Sequence, residues 1–159
     1  MDAITGRVSS ARHNLQNIPK GRMRSIFLPD TPPFTDLDFS QIELRTLAYI
    51  AQDDAMQAIF DSEGDIHQAT AELMETSRYK AKSTNFAMIY GATDETLMET
   101  AGVTSKAKAQ ELRLAWSRAY PKAGNWIEAQ QQSAPRTGHI TTLYGRRIPL
   151  PSEMEEKPD

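Results

Sequence analysis

From Ser40 to Gly138 the chain is punctuated at short intervals by helix starts and stops, a spacing that fits a stack of short helices. Ser40 stands three residues before Glu43, the capping-box pattern, and predicts a helix from about Gln41 to Ala51 with Ile42, Leu44, Leu47, Ala48 and Ile50 as its apolar positions. The same logic predicts helices over Asp53 to Asp61 and Asp65 to about Glu75, then one capped by Ser77 that ends at Tyr90-Gly91. Thr93 is read as the cap of a helix ending near Gly102, and Thr104 as the cap of one reaching Tyr120-Pro121. A last helix begins after Pro121 and ends between Pro135 and Gly138.

Strand signals flank this helical block. Phe34 to Phe39 reads as a strand entering the core, and Ile26-Phe27-Leu28 as a shorter one closed by a proline-rich turn. His139 to Leu143 and Arg147 to Leu150 read as two strands around Tyr144-Gly145-Arg146. Residues 1–25 have no helical period, and the acidic stretch from Ser152 to Asp159 reads as a disordered tail. The expected class is α+β, mostly helical.

A length of 159 residues allows one ordinary domain. Without cysteine there is neither a disulfide framework nor a thiolate nucleophile or ligand. No apolar run approaches a membrane span, and Met1-Asp2 does not open a signal peptide, so a soluble cytoplasmic protein is the default expectation. A net charge of -3 argues against nucleic-acid binding by bulk charge alone. The charge is unevenly spread. Residues 1–25 hold five bases and one acid, and residues 26–75 hold eleven acids and one base. Arg78, Lys80 and Lys82 then cluster. Uneven surface charge explains this as well as a phosphate-binding segment beside a cation-binding one.

Three local patterns carry chemistry. Asp38 lies at the end of the expected strand, just before a helix, on the same face as Asp36. A carboxylate there suits Mg²⁺, which takes one or two protein carboxylates and fills its shell with waters and phosphates. A turn or cap role fits the same local sequence. Arg78, Lys82, Phe86 and Tyr90 recur every four residues. Each step adds about 6 Å of rise and about 40° of rotation, so the four form one slowly turning stripe, cations first and aromatics last. A nucleoside triphosphate lying along the helix would meet its phosphates and then its base in that order. An amphipathic helix with the aromatics in the core has the same spacing. The amide- and arginine-rich start, with Arg7, Asn14, Gln16 and Asn17, suits contacts with a nucleic-acid backbone and minor groove, or is a polar loop.

Together these segments resemble family A DNA polymerases of bacterial and phage type. Asp38-Phe39-Ser40-Gln41-Ile42-Glu43-Leu44-Arg45 is similar to that family's motif A, with phenylalanine where the family usually has tyrosine. Arg78, Lys82, Phe86 and Tyr90-Gly91 match the fingers-helix motif B. Thr5-Gly6-Arg7-Val8-Ser9-Ser10 with Asn14-Leu15-Gln16-Asn17-Ile18-Pro19, Asp65-Ile66-His67, and Thr142-Leu143-Tyr144-Gly145-Arg146-Arg147 resemble three further blocks. The five stand in the family's order.

The resemblance implies a partial palm over residues 1–52, fingers over 53–138 inserted into a partial antiparallel palm sheet, and a hairpin over 139–151 returning to the palm. It implies Asp38 and the Phe39 carbonyl as ligands of two Mg²⁺ ions. Glu43 becomes the gate against ribonucleotides. Gln41, His67, Arg78, Lys82, Phe86 and Tyr90 contact the dNTP, with Lys82 protonating the leaving pyrophosphate and Tyr90 touching Glu43. Arg7, Asn14, Gln16, Asn17, Arg24 and Arg146 contact primer-template DNA. The family's second catalytic aspartate, in a later His-Asp-Glu motif, has no counterpart within these 159 residues. The expectation is therefore a chain with little activity by itself: one half of a split polymerase completed by a second polypeptide, a fragment of a longer chain, or a non-catalytic remnant that keeps nucleic-acid or nucleotide binding.

Overall fold

The structure is a computed structural model that describes residues 7, 8, 10, 12, 14–19, 21–31, 33, 35 and 37–150. The chain divides into two compact units, residues 1–40 and 41–159.

Among its described residues, the first unit has two single-turn 3₁₀ helices, Leu15–Asn17 and Arg24–Ile26, neither with a buried residue. Asn14 caps the first by accepting from the Gln16 amide at 3.2 Å. Ile26 therefore ends a helical turn, and Phe27 and Leu28 run on without strand pairing, which corrects the strand expected there. Thr35 and Leu37 to Phe39 are not strand either; Phe34 and Asp36 lie outside the described residues.

The second unit contains seven helices and a hairpin among its described residues. They are α1 (Ile42–Ala51), α2 (Asp54–Asp61), α3 (Ile66–Leu73), α4 (Arg78–Ile89), α5 (Asp94–Ala101), α6 (Lys106–Ala119) and α7 (Pro121–Thr137). Asp53, Asp65, Ser77 and Thr93 cap α2 to α5 through their side-chain oxygens, and Gly102 and Gly138 stop α5 and α7 in the left-handed conformation. Two starts differ from expectation. Ser105, one residue beyond Thr104, caps α6 by accepting from Lys108. At α1 the N-cap is Gln41, in the left-handed region at φ 55° and with no side-chain cap bond. With Gln41 as N-cap, Glu43 is the second helical residue rather than the third that a capping box uses, and its carboxylate accepts from the Tyr90 hydroxyl.

The core lies where the apolar faces meet: Leu44, Leu47 and Ala48 of α1, Met56 and Phe60 of α2, Ile66 of α3, Ala87 and Met88 of α4, Leu97 of α5 and Trp116 of α6. Trp116 and Tyr120 are fully buried and meet edge-on, their ring centres 5.3 Å apart. That geometry adds about 0.5–1.5 kcal/mol beyond the area removed from water. Asp53 ties the bundle together. Its Oδ1 accepts from the Met56 amide at the start of α2, while Oδ2 accepts from the Lys122 and Ala123 amides at the start of α7, each at 3.0 Å.

Strands β1 (His139–Thr141) and β2 (Arg147–Pro149) pair antiparallel, with Ile140 opposite Ile148. The loop between them closes through the Thr142 amide on the Arg146 carbonyl, at 2.8 Å. No helix among the described residues is long and apolar enough to cross a membrane.

Candidate functional site

Helix α4 begins with Ser77 accepting from the Lys80 amide and ends at Tyr90. Its inner face is Ala81, Thr84, Asn85, Ala87 and Met88, all buried. This leaves Arg78, Lys82, Phe86 and Tyr90 on the outer side, where Phe86 is half-buried and the other three are exposed. The four-residue spacing therefore makes a surface stripe rather than a core stripe.

Three members of the stripe have specific partners. The Arg78 guanidinium binds Asp65 Oδ2, through Nε at 2.7 Å and Nη2 at 2.6 Å. The other oxygen of Asp65 accepts from the His67 and Gln68 amides at the start of α3. Burial pushes the Asp65 carboxyl upward, but the Arg78 hydrogen bond and the two amides outweigh it and hold it below the ordinary value. One carboxylate thus locks the start of α3 and aims the start of α4. Lys82 has no ion-pair partner among the described residues, and its Nζ lies 6.0 Å from the Phe86 ring centre. The Phe86 ring is 5.8 Å from the His67 ring and 6.4 Å from Tyr90, nearly parallel to the latter at 16°. The Tyr90 hydroxyl donates to Glu43 Oε1 at 2.7 Å.

Glu43, His67, Arg78, Lys82, Phe86 and Tyr90 are therefore linked by contacts within one unit. Gln41 lies two residues before Glu43 in the chain, and its Oε1 is buried without a hydrogen-bond partner, the one such side-chain atom among the described residues. Arg45, beside them in sequence, instead stacks its guanidinium 4.5 Å over the Phe60 ring. Arg146 lies exposed in the hairpin loop, its amide donating to Thr142 Oγ1.

His67 is buried, with 3% of its surface exposed. Burial holds its imidazole below the ordinary value; Asp65 pulls it up, and the charges of Arg78 and Lys82 push it down again. Sequence reading passed over what surrounds it: Thr70, Asn85, Trp116 and Tyr120, buried and joined by hydrogen bonds across α3, α4 and α6. The available signal was Asn85 itself, a poor helix former in mid-helix on the face that otherwise supplies core.

The remaining candidates belong to the first unit. Arg7, Asn17 and Asp38 are exposed, and Phe39 is 78% exposed. Gln16 donates to the Val8 carbonyl at 3.4 Å and Arg24 to the Ile18 carbonyl at 3.3 Å, so both brace this unit's own backbone. Among the described residues no cluster of three or more His, Asp or Glu side chains could hold a metal. Asp38 offers a single exposed carboxylate, and Phe39 follows it in the chain. That fits a Mg²⁺ site in which the protein gives one or two hard oxygens and phosphates and waters give the rest.

Comparison with known proteins identifies the family. A sequence profile of DNA polymerase family A matches residues 1–158. The chain is 36% identical to DNA polymerase I of Bacillus caldotenax, over 92% of this chain and 18% of that protein. It is 37% identical to DNA polymerase I of Pseudomonas aeruginosa, over 94% of this chain and 18% of the relative. It is 34% identical to the thermostable DNA polymerase I of Thermus aquaticus, over 92% and 19%. The chain thus spans less than a fifth of the length of these relatives. Among solved structures it is similar to the POL domain of Pol1 from M. smegmatis in complex with DNA primer-template and dNTP, with a TM-score of 0.79 at 25% identity, covering 94% of this chain and 29% of that one. The chain belongs to DNA polymerase family A.

Proposed function

We propose that the outer face of α4, with His67 and Glu43 beside it, takes the incoming deoxynucleoside triphosphate in template-directed DNA synthesis. The observation that carries this reading is the linked row itself. Two cations head the stripe, a histidine lies against its middle, and two near-parallel aromatic rings end it, the last bonded to Glu43. Arg78 and Lys82 bind the phosphates by charge-assisted hydrogen bonds. The Asp65 pair fixes the direction of the Arg78 guanidinium, while Lys82, with no carboxylate partner among the described residues, keeps its ammonium for the ligand. As the leaving pyrophosphate gains charge, Lys82 is the proton donor beside it. Phe86 packs on sugar and base, and Tyr90 sits toward the templating position. Glu43, held in place by the Tyr90 hydroxyl, fills the space a ribose 2′-hydroxyl needs.

Asp38 and the Phe39 carbonyl would hold Mg²⁺, which in phosphoryl transfer activates the attacking hydroxyl and neutralises the triphosphate. Arg7, Asn14, Gln16, Asn17, Arg24 and Arg146 contact primer and template, as a phosphate-rich interface requires. We assign residues 1–52 to a palm portion, 53–138 to fingers and 139–151 to a returning hairpin; the tail expected over 152–159 lies outside the described residues. Residues 1–159 supply one catalytic carboxylate of the pair the reaction uses, and the other comes from outside this stretch. A polypeptide of these residues alone therefore does not extend a primer.

The test replaces the matched stretch of a family A polymerase by residues 1–150 of this chain. The chimera should extend a primer with dNTPs, and Asp38→Asn or Lys82→Ala should each reduce the rate by at least about tenfold. Full extension by both variants would refute the assignment, and so would robust synthesis by residues 1–159 alone.

A further inference from the structure

We propose that Asn85, fixed by Trp116, is a positioning residue that holds His67 in the tautomer with its proton on Nε2, so that the ring offers a neutral N–H donor to a triphosphate lying along α4. The ligand in this proposal rests on the functional reading above; the tautomer does not.

The proton positions follow from a group that can only donate. The Trp116 indole N–H lies 2.7 Å from Asn85 Oδ1 and has no acceptor capacity, so the amide's oxygen faces Trp116 and its nitrogen faces the other way. Asn85 Nδ2 then has two hydrogens and two acceptors in reach, His67 Nδ1 at 3.0 Å and Thr70 Oγ1 at 3.1 Å. Thr70 has one hydrogen, and the Ile66 carbonyl takes it at 2.7 Å. The Thr70 oxygen accepts from Asn85, and the Tyr120 hydroxyl, 2.8 Å away, donates its own proton to the same atom. Every buried polar atom in the cluster is satisfied by this one arrangement. Reversing the amide would set its N–H₂ against the indole N–H and leave two donors facing each other in the core, at a cost of about 1–3 kcal/mol for each unsatisfied group.

His67 Nδ1 is therefore an acceptor, and the neutral ring carries its hydrogen on Nε2. Nε2 is not among the buried unpartnered atoms, so part of the residue's 3% exposure lies at this nitrogen. The charged groups around the ring are Asp65 on its own helix and Arg78 and Lys82 on α4; from α6 it meets, through Asn85, only the uncharged indole. A proton on Nδ1 would expel the Asn85 bond, which adds to the burial already opposing the cation. His67 thus contributes a hydrogen bond without a third positive charge beside Arg78 and Lys82.

Nitrogen-detected NMR of the imidazoles in the 159-residue chain tests this, with His67→Gln to assign the signals. The wild type should show the Nε2–H tautomer with a titration midpoint below the ordinary histidine value of 6.5. Asn85→Asp should turn Nδ1 into a donor to a carboxylate and raise that midpoint by about one to three pH units. Trp116→Phe, which frees the amide to turn over, should yield a mixture of tautomers, and it serves if the aspartate variant does not fold. A wild-type ring protonated on Nδ1, or an Asn85→Asp midpoint equal to the wild type's, overturns the positioning role whatever the chain binds. Titration with dATP separates the two claims. It should shift the His67 Nε2 signal, and a ring of the expected tautomer whose signal stays still overturns the nucleotide reading instead.

Discussion

Replacing Asp53 by alanine should be the most costly single substitution in the helical unit, because one fully buried carboxylate starts two helices. The loss can be built up from its three bonds. At α2 it is an ordinary N-cap, about 1 kcal/mol. At α7 two amides, 3.0 Å from Oδ2, lose a charged acceptor and stay buried or half-buried, each at about 1–3 kcal/mol. The sum is about 3–7 kcal/mol, and its lower part, about 4 kcal/mol, is already a large share of the roughly 5–15 kcal/mol a domain has. Asparagine keeps one oxygen and can cap one helix but not both, so Asp53→Asn should lose about 2 kcal/mol. With a urea slope near 2 kcal/mol/M, the midpoints fall by about 2 M for alanine and about 1 M for asparagine. Equilibrium urea unfolding followed by far-UV circular dichroism reads both. A loss under about 1 kcal/mol for alanine refutes the double-cap reasoning, and equal losses for the two variants refute its division between the helices.

Other outcomes follow from the site. Because the folded chain holds His67 below its ordinary 6.5, the unfolded chain binds a proton the folded one refuses. Stability should therefore be complete above that value and fall as pH drops below it, a slope that His67→Gln removes in urea midpoints measured on either side. Gly91 has φ +65°, and a Cβ there would meet Gln131 Nε2 at 2.6 Å. Gly91→Ala should lose about 1–2 kcal/mol from the left-handed backbone alone. Adding Gln131→Ala should recover only the contact part, and full recovery would show that the backbone is not strained. Tyr90→Phe removes the donor to Glu43 and should weaken ribonucleotide rejection several-fold in single-nucleotide incorporation by the chimera, a loss of about 1 kcal/mol. Unchanged discrimination would mean that Glu43 is positioned by something else.

The helices were legible because their ends are written locally. Ser77, Thr93 and Asp65 each cap with their own side chain, and Gly102 and Gly138 have the conformational freedom a helix stop requires. Ser40 misled because a capping box is only permitted by local sequence; the left-handed Gln41 moves the helix start and sends Glu43 to a partner forty-seven residues away. No local pattern encodes a bond of that separation. The stripe on α4 could be read as core or as surface until Asn85 and Thr84 proved to take the inside. The polar cluster escaped altogether, since Thr70, Asn85, Trp116 and Tyr120 come from three parts of the chain and each alone looks unremarkable in sequence. Asp53 was read as a helix start, but its second helix begins at Pro121, far away in sequence.

The claim that everything else depends on is that the outer face of α4 receives a nucleoside triphosphate. It is tested most directly by titrating the isotope-labelled 159-residue chain with dATP and following the backbone and side-chain resonances of the helical unit. The signals of His67, Arg78, Lys82 and Phe86 should move together along one binding curve, and Lys82→Ala should weaken that curve at least about tenfold. Shifts confined to other faces of the bundle, or a curve indifferent to Lys82, would contradict the account.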